Sequence, residues 1–219
     1  MNTIKICGLR DSRNAIVASR SGADRLGFIF APSRRQVTAL DVASILRDVR
    51  EAGYATPAVG VFVDPDPVQL LSDIEISGID YVQLSGEESP EILEQIPIPV
   101  IKVLPAGELD TVDAMLKLFE SWSGAKHIML DASDPNARGG TGKRANWELA
   151  TELARHIPLV LAGGLDPDNV GEAIAAVGPF GVDVSTGVET DGVKDPEKIE
   201  RFVANARLAL ARLQGASVE

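Results

Sequence analysis

Eight short β-branched or apolar runs, spaced along 219 residues and separated by segments of helical periodicity, predict an α/β fold, a single-domain (β/α)8 TIM barrel. The runs are "TIKIC" (3–7), "RLGFIF" (25–30), "AVGVFV" (58–63), "YVQL" (81–84), "PVIKVL" (99–104), "HIML" (127–130), "LVLA" (159–162) and "FGVDVS" (180–185). Each is too short for a helix and has the composition of a strand. Their alternation with helical segments implies parallel pairing through right-handed crossovers. An open doubly wound sheet would carry a Gly-rich dinucleotide turn after its first strand, and "CGLRDS" lacks that pattern.

The intervening segments follow the same logic. "DVASILRDVREAG" (41–53) sets Val42, Ile45, Leu46 and Val49 on one face and stops at Gly53. "DTVDAMLKLFESW" (110–122) repeats the pattern with Val112, Met115, Leu116 and Phe119. "PEKIERFVANARLALARL" (196–213) closes the chain as a long amphipathic helix. With no linker, low-complexity segment or second core, one barrel domain over residues 1–219 is expected.

Composition narrows the function classes. A formal charge of −11 argues against a nucleic-acid surface, because phosphate backbones reward clustered Lys and Arg. No apolar stretch approaches the ~20 residues that span a bilayer, and no basic region leads into an apolar segment at the N-terminus. Neither a membrane nor a signal peptide is expected. A single cysteine, Cys7, fits a reducing cytoplasmic setting. The two histidines, His127 and His156, lack ligand-like spacing, so no metal is expected.

In such barrels the chemistry sits where strands end and βα loops begin. Cys7 ends the first strand, Asp64 follows the third and Asp131 the sixth. On position alone Cys7 reads equally as a small buried hydrophobe. "LAGGLDPDNV" and "VSTGVET" follow strands seven and eight, where phosphate is commonly bound. Gly163 and Gly164 allow close approach of backbone N–H groups, Ser185 and Thr186 offer hydroxyls, and a helix starting near Gly187 would aim free N–H donors at an anion. "RGGTG" (138–142) adds a third Gly-rich loop, which the missing first glycine excludes as a Walker A motif. A strongly acidic chain can still hold phosphate this way, since backbone donors do most of the binding.

"IKICGLR", "GADRLGFIFAPSRRQV", "VGVFVDP", "DYVQLSGEE", "GGTGKRANW", "LAGGLDPDNV" and "VDVSTGVETDGVKD" resemble, in order, the motifs of phosphoribosylanthranilate isomerases, from about residue 3 to residue 203. The resemblance implies a cofactor-free Amadori rearrangement of N-(5-phosphoribosyl)anthranilate in tryptophan biosynthesis, with a phosphorylated small molecule as partner and a monomer or homodimer as the assembly. By motif, Cys7 corresponds to the general base and Asp131 to the general acid. Arg35 corresponds to the arginine that holds the anthranilate carboxylate, and Gly140, Gly163, Gly164, Ser185 and Thr186 fall at the phosphate site. The chain departs from the family twice, with Ser85 where "QLHG" is usual and Ala145 where an aromatic residue often stands. Both departures bear on substrate preference and efficiency. A related aminosugar-phosphate isomerase and a non-catalytic phosphosugar-binding barrel are the alternatives.

The chemistry itself asks for an acid and a base on opposite sides of a sugar. Lys5, two residues before Cys7 and so on the same strand face, could favour the thiolate. It could equally be a core charge paired with Asp183 or Asp64. Burial of Asp131 at its strand end would help it keep a proton. Arg34 reads as a solvated neighbour, Trp147 as helix-start packing, and residues 132–146 as a loop that could close over substrate.

Overall fold

The computed structural model describes residues 3–105, 111–131 and 147–216. Eight parallel strands pair in sequence order and close on themselves. They are β1 (Thr3–Ile6), β2 (Arg25–Ile29), β3 (Ala58–Phe62), β4 (Tyr81–Leu84), β5 (Val100–Pro105), β6 (His127–Asp131), β7 (Leu159–Ala162) and β8 (Gly181–Val184). The predicted (β/α)8 barrel is therefore present, with each strand boundary within one residue of its sequence run. Closure occurs between β1 and β8, in a register that sets Thr3 beside Gly181 and Lys5 beside Asp183.

Among the described residues seven α-helices cover the outside: α1 (Ser12–Arg20), α2 (Ala39–Glu51), α3 (Pro67–Ser77), α4 (Val112–Ser121), α5 (Trp147–Ala154), α6 (Val170–Val177) and α7 (Pro196–Ala216). Between β4 and β5 a six-residue 3-10 helix, Pro90–Gln95, takes the place of an α-helix. The three helices read from periodicity are α2, α4 and α7. α2 begins two residues earlier than predicted because Thr38 and Asp41 form a reciprocal capping box. In α3, Asp66 accepts from the N–H groups of Val68 and Gln69, and Gly78 ends the helix at φ +68°. Trp147 opens α5 and packs partly buried against the core.

Two apolar layers hold this arrangement. Outward-facing strand residues such as Ile4, Leu26, Leu84 and Leu161 meet the helices in one continuous core. Val59, Ile101, Met129, Val160 and Ala162 fill the barrel interior. Because side chains alternate along a strand, Met129 pointing inward turns Asp131 to the same interior side. At the opposite end, Arg25 donates to Nε2 of His127 at 2.8 Å and lies over the Tyr81 ring at 4.5 Å, while His127 stacks on Phe180. Burial, with the Arg25 charge beside it, holds His127 down at about 4, so it stays neutral at ordinary pH. Among the described residues no helix is long and apolar enough to cross a membrane, and no cluster of His, Cys, Asp and Glu could hold a metal.

α7 carries the clearest energetic stake in the outer layer. It buries Ile199, Phe202, Val203, Ala206 and Leu210 at helical spacing and leaves Leu208 54% exposed. Phe202→Ala should lower the unfolding free energy by about 3–5 kcal/mol, and Leu208→Ala by no more than ~0.5 kcal/mol, measured by urea denaturation. Equal losses in the two variants would contradict this packing.

Candidate active site

The β1–β8 seam places a buried ion pair beneath the C-terminal rim of the barrel. Lys5 Nζ donates to Asp183 Oδ1 at 2.8 Å, with side-chain exposures of 1% and 10%. Burial pushes the Lys5 ammonium down, but the charges of Asp183 and Cys7 outweigh it and leave Lys5 above its ordinary value. Of the two sequence readings of Lys5, the core pair with Asp183 is therefore present, and its charge also reaches Cys7.

Cys7 lies just past β1, its N–H donating to Val184 O at 2.8 Å. It is buried, 5% exposed. Gly27 on β2 makes room for it: a Cβ there would come within 2.9 Å of Cys7 Sγ and 3.0 Å of Lys5 Cε. Burial pushes the thiol above its ordinary value, Lys5 and Lys194 pull it down, and Asp183 adds to the rise. The net direction is upward. The pull of Lys5 toward the thiolate is present as expected, but desolvation outweighs the two cations.

Asp131 ends β6 on the interior side and is exposed, contrary to the burial expected of it. Only β7 and β8 separate its strand from β1 around the closed sheet. Those two strands lead into the glycine loops. Gly163 and Gly164 have φ of +94° and +65°, values that disfavour other residues. Ser185 and Thr186 follow β8, and Ser185 Oγ is buried without a hydrogen-bond partner among the described residues. The two loops are wedged together: a Cβ on Gly187 would fall 1.9 Å from Leu165 O. Gly140, Ala145 and the rest of loop 132–146 lie outside the described residues.

The helix expected near Gly187 is a single 3-10 turn, Thr186–Val188, which ends in a small antiparallel ribbon of β9 (Glu189–Thr190) and β10 (Val193–Lys194). The turn between them uses Asp191 and Gly192, both at positive φ, as a two-residue hairpin loop requires. This ribbon sets Glu189 opposite Lys194. Arg35 Nε and Nη2 donate to the two oxygens of Glu189 at 2.6 and 3.0 Å, and Nη2 also reaches Thr186 Oγ1 at 3.1 Å. Arg35 thus stands beside the β8 loop, joined to it by Glu189. Arg34 is exposed as expected, yet it too donates to Glu189, at 2.6 Å.

Elsewhere at this end, Ser85 accepts from Gln83 Nε2 at 3.1 Å. Lys102, buried against Trp122, pairs with Glu88 at 2.6 Å and ties down the loop after β4. Asp64 accepts from the N–H of Glu87 and supports the same loop. A groove of about 350 Å³ between α6 and α7, lined by Pro167, Gly171, Ala175, Asn205 and Leu208, lies on the helical flank and contains none of these groups.

A sequence model described as N-(5'phosphoribosyl)anthranilate (PRA) isomerase matches residues 4–205. The chain belongs to that family. An N-(5'-phosphoribosyl)anthranilate isomerase of Roseiflexus castenholzii is 46% identical over 211 residues, covering 94% of this chain and 98% of that protein. The phosphoribosyl anthranilate isomerase structure from Thermotoga maritima superposes with a TM-score of 0.80 at 36% identity, covering 94% of this chain and 99% of that one. A further phosphoribosyl anthranilate isomerase, solved with reduced 1-(o-carboxyphenylamino)-1-deoxyribulose 5-phosphate, is 34% identical with a TM-score of 0.77, covering 94% and 99%.

Sequence reasoning passed over Glu189 and Lys194, although both fall inside the stretch "VDVSTGVETDGVKD". The available signal was Asp-Gly in "ETDGVK", the strongest short hairpin marker, which puts the flanking residues 189 and 194 across from each other. Since Cys7 is the chain's only thiol, its titration can be read directly from the ultraviolet absorbance of the thiolate against a Cys7→Ser blank. The midpoint should lie above the ordinary ~8.5. A midpoint at or below that value would mean that Lys5 and Lys194 outweigh burial.

Proposed function

We propose that this chain converts N-(5-phosphoribosyl)anthranilate to 1-(2-carboxyphenylamino)-1-deoxyribulose 5-phosphate, with Cys7 as general base, Asp131 as general acid and one barrel domain carrying the whole reaction. The observation that carries the assignment is the placement of both groups on the interior side at one rim, with the β7 and β8 loops between them.

The substrate phosphate would rest on the backbone of residues 163–164 and 185–187, together with Gly140. There the open conformations at Gly163 and Gly164 and the unpartnered Ser185 hydroxyl favour an anion. Arg35 would hold the anthranilate carboxylate at the other end. Asp131 gives a proton to the ribose ring oxygen as the C1′–O bond breaks, and the anthranilate nitrogen shares its electron pair to form an iminium. That cation acidifies the C2′ proton, which the Cys7 thiolate removes to give an enolamine. The enol then loses its O–H proton while C1′ gains one, leaving the aminoketose and no net change in protons.

The buried thiol fixes the pH dependence. The active thiolate is a minority at neutral pH, so kcat/KM should rise with pH into the range where Cys7 titrates. Loss of anthranilate-type fluorescence reports turnover. Cys7→Ala and Asp131→Asn should each lower kcat by about 10²-fold or more with little change in KM. Near-wild-type turnover in either would remove that residue from its role. A monomer and a homodimer both fit this reading in a cytoplasmic enzyme, and because every proposed group comes from one chain, specific activity should not change on dilution.

A further inference from the structure

Glu189 joins three cationic side chains at the C-terminal rim of the barrel. Its carboxylate accepts from Arg35 Nε and Nη2, Arg34 Nη2 and Lys194 Nζ, at 2.6 to 3.0 Å. The Glu189 and Lys194 side chains are each 4% exposed and Arg35 is 15% exposed. Lys194 also donates to Ser185 O at 2.7 Å, so the same carboxylate reaches the loop after β8 by a second route. Three cations around one anion leave a local excess of two positive charges, in a chain whose overall charge is −11. Such an excess in a partly dry site favours an anionic ligand.

The geometry of the Arg35 contact is specific. Glu189 occupies the Nε–Nη2 edge of the guanidinium, and Thr186 Oγ1 takes a further Nη2 contact. Among the described residues Nη1 has no partner. A planar fork held along one edge presents the other in a fixed direction. Gly8 completes the device. Its φ is +77°, and a Cβ there would come within 2.6 Å of Arg35 Cδ and 3.0 Å of Ser185 Oγ. The residue after Cys7 thus leaves a slot through which the Arg35 stem passes to reach Glu189.

We infer that Glu189 is a positioning residue for substrate: it clamps one edge of Arg35 so that the other edge meets the anthranilate carboxylate, and through Lys194 and Ser185 it ties that clamp to the phosphate loop. This inference rests on the function proposed above, since it takes the ligand of Arg35 to be that carboxylate. Burial alone would raise the Glu189 carboxyl, but the hydrogen bonds from Arg35 and Lys194 outweigh it and hold the group down at about 2. Glu189 is therefore charged throughout the range in which the barrel would work. Glu189 touches no reacting atom in this scheme; it acts through Arg35.

The test compares two ligands by calorimetry: reduced 1-(o-carboxyphenylamino)-1-deoxyribulose 5-phosphate and its counterpart lacking the ring carboxylate. Glu189→Gln should weaken the carboxylated ligand by about tenfold or more, and the other by less than about threefold. In an Arg35→Ala background, Glu189→Gln should produce no further selective loss. Equal weakening of both ligands would reduce Glu189 to loop support and overturn the inference, as would a selective loss that persists without Arg35. If Glu189→Gln does not fold, Glu189→Asp carries the same comparison with its charge retained and its reach shortened; there the selective loss should be smaller but present, and its absence overturns the inference. Wild-type protein that binds neither ligand would instead count against the proposed function, which separates the two failures.

Discussion

The pairing of β1 with β8 is the constraint on which the other features depend. A sheet of eight parallel strands has two open edges until its first and last strands meet, and here they meet in the register Lys5 to Asp183. The ion pair at that position is almost wholly buried, so a shift of register would strand two charges in the barrel interior. Loss of one partner from such a pair costs about 3–5 kcal/mol, although the pair itself adds little net stability. Its value is in specifying the seam. One step further along the same strands, the N–H of Cys7 meets Val184 O, which carries the sulfur to the rim beside the loop after β8.

The same seam explains how the thiol is balanced. Desolvation by the closed barrel opposes ionisation of Cys7, and the ammonium groups of Lys5 and Lys194 favour it. Asp183 neutralises part of the Lys5 effect while holding that side chain in place. Among the described residues, three groups of cations at this end pair with carboxylates: Lys5 with Asp183, Lys102 with Glu88, and Arg34, Arg35 and Lys194 with Glu189. Only the last group has more cations than anions. That cluster lies next to the glycine loops, where the proposed phosphate site would rely on backbone groups.

The barrel was legible in the sequence because its strands announce themselves locally. Runs such as "YVQL" and "LVLA" coincide with β4 and β7 residue for residue. α2, α4 and α7 were legible because each keeps one apolar face. The segment between β4 and β5 gave no comparable pattern, and Pro90 with the short connection confines it to a 3-10 helix. Within the candidate site, strand ends pointed alike to Cys7, Asp64 and Asp131, and the family resemblance singled out Cys7 and Asp131; the glycine loops were readable from their composition. Glu189 could not be found that way, since its bond to Arg35 joins residues 154 apart and exists only once β2 and β8 are set in one barrel. The ribbon that carries it was readable from Asp191 and Gly192; the expectation of a helix at Gly187 missed it. Exposure of Asp131 is likewise a property of the assembled rim and not of its sequence neighbours.

The proposed reaction needs a sulfur and a carboxylate facing one sugar from opposite sides, with an anion held by main-chain groups at one end and an arginine at the other. A crystal structure of this protein with reduced 1-(o-carboxyphenylamino)-1-deoxyribulose 5-phosphate tests that arrangement most directly. The phosphate should lie against residues 163–164 and 185–187, with Cys7 Sγ on one side of the ribulose carbons, the Asp131 carboxylate on the other and Arg35 on the ring carboxylate. A ligand bound away from the β7 and β8 loops, or lying with Cys7 and Asp131 on the same side, would contradict it.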